Sequence, residues 1–378
     1  VTAAERLRAL ITRRGPVPWS VFMEVALYGE DGFYTGGAGA GRTRDFLTSP
    51  ELGPLFGAVV ARAVDEAWDA CGRPDPWVVV EAGAGSGALA AAVLAAGPVC
   101  APALRYVAVE VSPALRAAAT ARLPLEDPAQ VLGPRPARAP DDEGGPSPGM
   151  GPLVAVAAEL PAGPFAGMVL ANELLDNLPF DVYVAAWDEV RVGLDGTGFA
   201  EVVVPADEGV AAHLARLAPA AGAGARVPWQ AAACDWLRAA LRLLERGRVV
   251  VIDYARATAA LAAVPPGEWL RTYRAGGPGR PPLEDVGDQD ITADVALDQL
   301  ALVRPPDRAR DQAAWLAAHG LDALAEDAAA RWRAGAAAGD LPALAARSRL
   351  GEVAALRDPT GLGGFTVAEW DVGLGTRR

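Results

Sequence analysis

Three polar side chains end an apolar run: Asn172, Glu173 and Asp176 follow Gly167-Met168-Val169-Leu170-Ala171. At the carboxyl end of a parallel strand such residues point into the crevice where an open sheet binds its ligands, so an amide and two carboxylates would line one wall. A helical turn beginning there puts Asn172 and Asp176 on one face with Glu173 beside them, and Pro179 limits its length. A second acidic position precedes a glycine loop: Glu81 stands just ahead of Gly83, Gly85 and Gly87. A third, Glu110, ends the run Arg105-Tyr106-Val107-Ala108-Val109, where a neighbouring strand presents an acid to ribose hydroxyls. Ser112, two residues on, caps the next helix and is counted with the same ligand set.

The elements that position these groups are local and readable. Trp77-Val78-Val79-Val80 is a strand buried on both faces, the glycines permit a tight turn, and Ala88 to Ala96 is a helix. Strand, glycine loop and helix make a nucleotide site. Gly83, Gly85 and Ala88 also fit the dinucleotide pattern loosely, which keeps a nicotinamide oxidoreductase as a rival. Glu81 decides between them. An acid before the glycines repels a pyrophosphate and suits S-adenosyl-L-methionine, whose ammonium and sulfonium are both positive.

Composition narrows the chemistry. The 378 residues carry a formal charge of -13, which argues against a broad nucleic-acid face and favours a basic peptide or protein substrate. There is no lysine, which excludes a Schiff base and a Walker-type phosphate lysine. His213 and His319 lie in helix-like sequence and are expected to pack rather than act as bases. Cys71, Cys100 and Cys234 are isolated, without zinc or disulfide spacing, so a reduced, metal-free cytoplasmic protein is expected. No signal segment or membrane-length apolar span is evident, and the arginine-only, Ala/Gly/Pro-rich composition suggests a GC-rich bacterial source. The expected partners are a protein substrate and a second copy in a homodimer, with neither nucleic acid nor membrane.

In chain order, residues 3 to 14 read as an amphipathic helix stopped by Gly15-Pro16, and Phe22, Val25, Ala26 and Leu27 as an apolar core stripe. Gly29 to Arg44 is a candidate lid. Ser49-Pro50-Glu51 starts a helix expected to run through Trp68. The stretch 126–151, with Asp141-Asp142-Glu143, reads as a solvated loop. Residues 182 to 204 form a hairpin turning at Asp195-Gly196, Arg248 to Tyr254 a further strand, 294–357 mostly helices, and Gly364 to Trp370 a closing edge strand. Four parts are expected: 1–75, a helical lid region; 76–180, the first part of the cofactor-binding core; 181–246, an inserted hairpin and helices; and 247–378, completing the core.

The ordered set Gly32-Phe33-Tyr34, Asp45-Phe46 with Thr48-Ser49-Pro50-Glu51, Glu81 to Gly87, Glu110 with Ser112-Pro113, Asn172 to Pro179, Ile252-Asp253-Tyr254 and Asp290-Ile291-Thr292-Ala293 resembles the MidA-like methyltransferase family. That family includes the mitochondrial complex I assembly factor that methylates a protein arginine. The likeness covers nearly the whole chain. It implies an α/β fold: a Rossmann-like class I methyltransferase sheet, seven strands and mostly parallel with one antiparallel edge strand, plus an N-terminal helical extension and an inserted substrate-recognition region. It also implies S-adenosyl-L-methionine bound by Gly83, Gly85 and Gly87, Glu110 on its ribose, and Asn172 and Glu173 at the reacting end. The expected activity is methyl transfer to a protein arginine. The alternatives are a non-catalytic assembly protein that binds the cofactor and a small-molecule O- or N-methyltransferase. Arg44 stands where the family usually has glycine, Asp294 where it has histidine, and the histidine expected after Tyr273-Arg274 is missing.

Overall fold

The computed structural model describes residues 1–35, 49–133, 149–196, 198–274, 277–337 and 339–374. Most of the candidate lid, the Asp45-Phe46 motif and the acidic run Asp141-Asp142-Glu143 lie outside them.

Seven strands build the central sheet: β1 (Trp77–Ala82), β2 (Leu104–Val109), β3 (Leu153–Ala157), β4 (Phe165–Asn172), β5 (Leu244–Asp253), β6 (Arg308–Asp311) and β7 (Thr366–Val372). Their order is β3-β2-β1-β4-β5-β7-β6, with β1 to β5 parallel and β7 antiparallel to both neighbours. Alternation along the central strands serves two cores. Trp77 and Val79 face helices α1 (Pro54–Ala70) and α2 (Ala88–Ala95), while Val78 and Val80 face α3 (Ala231–Arg242).

Three sequence expectations change here. The strand at 366–372 is not the edge, because β6 pairs outside it in a stretch read as helical. Arg308-Ala309-Arg310-Asp311 carries no apolar signal. It is held instead through Arg308 and Arg310, which with Arg248 surround the buried Glu369 carboxylate. Second, the helix expected from Ser49 through Trp68 is two, Ser49–Leu52 and α1, broken at Gly53-Pro54. Pro54 opens α1, and a Cβ on Gly53 would overlap the Glu352 carboxylate that accepts from Leu55 N. Third, no helical turn begins at Asn172. Glu173 adopts a left-handed backbone, φ 52°, before a 3-10 turn at Leu175–Asn177.

A second body of apolar side chains joins the N-terminus to the insertion. Val17–Pro18, Asp188–Asp195, Asp181–Val184 and Arg226–Trp229 form one sheet, with Gly198–Val204 completing the hairpin. The helix at Ala3–Arg14 packs Leu7 and Ile11 there with Phe22, Phe180 and Trp269, and a Thr2/Glu5 capping box closes its start.

The contact between α1 and α2 gives a stability test. A Cβ added at Gly57 would lie 2.3 Å from that of Ala92. Gly57→Ala is therefore expected to lower unfolding free energy by about 1–3 kcal/mol in urea denaturation. An unchanged midpoint would show that the two helices separate freely.

Candidate active site

The floor of the site is the turn after β1. Gly83 (φ 70°), Gly85 (φ 54°) and Gly87 (φ 73°) are all left-handed, a conformation that side-chain-bearing residues adopt at a cost. Gly83 and Gly85 line the cleft, whereas Gly87 backs onto Ala119 of the helix at Pro113–Arg122 and Leu123 just past its end. The loop is tied to β2: Ala84 N donates to the Val109 carbonyl at 3.0 Å, and Gly85 N to Glu110 Oε2 at 2.9 Å. The other Glu110 oxygen accepts from Ser112 N at 2.8 Å. Ser112 is buried and absent from the cleft lining. Its hydroxyl accepts from Leu115 N as a helix cap and donates to the Tyr34 carbonyl at 2.5 Å.

Glu81 is buried at the end of β1, where Tyr106 OH donates to Oε2 at 2.7 Å. Loss of hydration outweighs that bond and pushes the carboxyl up to about 7. At neutral pH it is poised between acid and carboxylate, and a cation beside it would settle it as carboxylate.

The opposite wall is made by the segment after β4. Glu173 N donates to the Ile252 carbonyl at 2.9 Å, fixing the left-handed turn against β5. Asp253, buried at the end of β5, accepts from Leu175 N at 2.9 Å and Asp176 N at 3.3 Å and so holds the 3-10 turn. Asn172, Glu173 and Asp176 therefore all reach the cleft, by a kinked route rather than along one helix face. Asn172 Nδ2 donates to Glu173 Oε1 at 3.1 Å, and Thr292 Oγ1 to Asp176 Oδ2 at 2.9 Å. Asn172 Oδ1 and Asp176 Oδ1 are buried without hydrogen-bond partners. Burial, then the charge of Asp176, pushes Glu173 up to about 8; burial, then Asp290, pushes Asp176 up to about 7.

Four further residues shape the cleft, and two of them, Tyr34 and Asp290, stand in the motifs quoted above. Tyr28 and Tyr34 stack with centroids 5.6 Å apart and line the cleft from the N-terminal segment. Asp290, which opens the strand Asp290–Ala293 paired with Leu270–Arg274, lines it too and accepts from Tyr34 OH and Asn177 Nδ2. Arg271 stacks over Tyr254 and is paired with Asp294, a buried carboxylate that also holds Arg256. Asp294, at the position of the family's histidine, thus anchors a cleft residue without lining the cleft itself. His213 packs on Trp229 and His319 on Trp315, and neither lines the cleft. The cleft measures about 790 Å³, and among its described lining residues stand eight carboxylates and one arginine. Among the described residues no helix is long and apolar enough to cross a membrane.

Residues 59–307 match a family of S-adenosyl-L-methionine-dependent methyltransferases. Two crystal structures of one superfamily from Burkholderia thailandensis superpose with TM-scores of 0.77, each covering 99% of this chain and 92% of theirs. One is a native structure at 29% identity, and the other, at 30%, is bound to S-adenosyl-homocysteine. A stretch of 92 residues is 40% identical to the mitochondrial protein arginine methyltransferase NDUFAF7 homolog of Drosophila melanogaster, spanning 24% of this chain and 21% of that relative. The residues present fit the cofactor: left-handed glycines on the floor, Glu110 at the end of β2, and a buried acid at Glu81 whose hydration a cationic group would replace. The chain belongs to the MidA-like family of S-adenosyl-L-methionine-dependent methyltransferases.

Proposed function

We propose that this methyltransferase acts on the guanidinium of a protein arginine. The observation that carries the reading is the acidity of the cleft, where eight Asp and Glu side chains face a single arginine already paired with Asp294, and a cation would settle the protonated ones among them as carboxylates. Such a wall favours a cationic acceptor. The unpartnered Asn172 Oδ1 and Asp176 Oδ1 add two buried acceptors, and a guanidinium brings a fork of donors to fill them. The name of the Drosophila relative points the same way. A cytoplasmic place of action goes with the proposal, supported by three cysteines that are free and buried.

When bound, the cofactor supplies a methyl group already activated on a sulfonium. The chain's own residues contribute alignment and electrostatics. In this reading Glu110 takes the ribose hydroxyls, Gly83 and Gly85 allow close approach, and Glu81 faces the donor's positive end. Gly87 and Ser112 act behind the cleft, through helix packing and through Glu110. Asp176 and Asn172 accept guanidinium N–H groups, and Glu173 receives the proton that the acceptor nitrogen gives up.

The position of Glu81 sets a pH dependence. Below about 7 it carries a proton in the free protein, which a cationic donor must displace. Affinity for S-adenosyl-L-methionine is expected to fall by up to about tenfold per pH unit in acid and to level off above neutrality. Glu81→Gln should flatten that profile in calorimetry. A profile identical to wild type would remove Glu81 from donor recognition. The acceptor class is tested by incubating the chain with methyl-labelled cofactor and cell extract. Label in protein bands supports the reading, and label in extractable metabolites favours a small-molecule acceptor.

A further inference from the structure

Tyr34 lies outside the matched family region of residues 59–307, yet it touches both halves of the site. Its carbonyl accepts from Ser112, whose own N–H holds Glu110. Its hydroxyl donates to Asp290 Oδ1 at 2.9 Å, across 256 residues of sequence. Asp290 Oδ1 also accepts from Asn177 Nδ2 at 3.0 Å, and Asn177 follows Asp176 directly. Tyr28, stacked on Tyr34, reinforces the junction by donating to the Asn177 carbonyl at 3.1 Å. The segment itself is pinned, since Phe33 N and Tyr34 N donate to the Ala26 and Leu27 carbonyls.

We propose that Tyr34 is a positioning residue: a strap whose carbonyl end sets the Ser112–Glu110 corner and whose hydroxyl end sets the Asp290–Asn177 support beneath Asp176. This rests on the acceptor reading of Asp176 given above. The two ends are chemically separable. Tyr34→Phe removes only the hydroxyl and keeps the ring stack and the carbonyl, whereas Ser112→Ala leaves the hydroxyl end intact and releases the carbonyl end together with the Leu115 helix cap.

Steady-state labelling of an extract acceptor by the full chain tests the strap. Tyr34→Phe is expected to lower kcat roughly tenfold with the cofactor KM within about threefold of wild type. Ser112→Ala is expected to raise the cofactor KM roughly tenfold with a smaller effect on kcat. Wild-type kcat in Tyr34→Phe, or the same change of both constants in the two variants, overturns the proposal. If the wild-type chain labels no protein, the acceptor reading fails on its own, and calorimetry with S-adenosyl-homocysteine decides the strap. Affinity weakened about tenfold in Ser112→Ala but kept in Tyr34→Phe supports it, and any other pattern overturns it.

Discussion

Glu173→Gln is expected to reduce methyl transfer by roughly 10²–10³-fold while S-adenosyl-L-methionine affinity stays within a few-fold of wild type. The substitution keeps size and the hydrogen bond from Asn172 Nδ2 but removes the only atoms at that position that can take a proton. Burial and Asp176 hold Glu173 at about 8, so near neutrality much of it is protonated until a cation enters. In the proposed reading, a guanidinium arriving beside Asp176 reverses the balance and leaves a carboxylate ready as base. The rate should accordingly rise with pH through the range in which Glu173 ionises, and the Gln variant should lose that rise. A variant with normal turnover and a normal pH profile would exclude Glu173 from the chemistry. Loss of cofactor binding in parallel with rate would instead assign it to the donor.

Glu110→Ala is expected to weaken cofactor binding by roughly a hundredfold in calorimetry. The carboxylate holds Gly85 N and Ser112 N together, and hydrogen bonds to a charged group are worth about 1.5–3 kcal/mol each. Its loss therefore frees the glycine turn as well as removing the acceptor proposed for the ribose. Glu110→Gln keeps one acceptor oxygen and should fall between the two. Affinity unchanged in the alanine variant would place the ribose elsewhere.

What the sequence discloses of this protein is what local pattern controls. Trp77 to Val80 reads as a buried strand because unbroken apolar residues serve two cores at once, and the glycines that follow announce a tight turn, which the structure builds with left-handed angles. The helix at Ala3–Arg14 and the hairpin turning at Asp195-Gly196 follow from periodicity and turn chemistry in the same way. What stays hidden depends on partners distant in sequence. The edge strand Arg308–Asp311 has no apolar pattern, since its pairing runs through arginines on Glu369. The break at Gly53 is packed against Glu352, which lies 297 residues beyond Leu55 in the chain. Asp290 reads as one acid among several in a polar loop until Tyr34 and Asn177 converge on it. Asn172, Glu173 and Asp176 were legible by their place after β4, but the left-handed kink that delivers them is set by Ile252 and Asp253 on the neighbouring strand.

The central claim is that a cleft walled by carboxylates receives a cationic methyl donor and a cationic acceptor together. Tandem mass spectrometry of the protein labelled in extract by the wild-type chain, with the Glu173→Gln chain as control, tests it most directly. The account predicts methyl groups on arginine nitrogen that disappear in the control. Methyl groups on a neutral side chain or a small metabolite, or equal labelling by both chains, would contradict it.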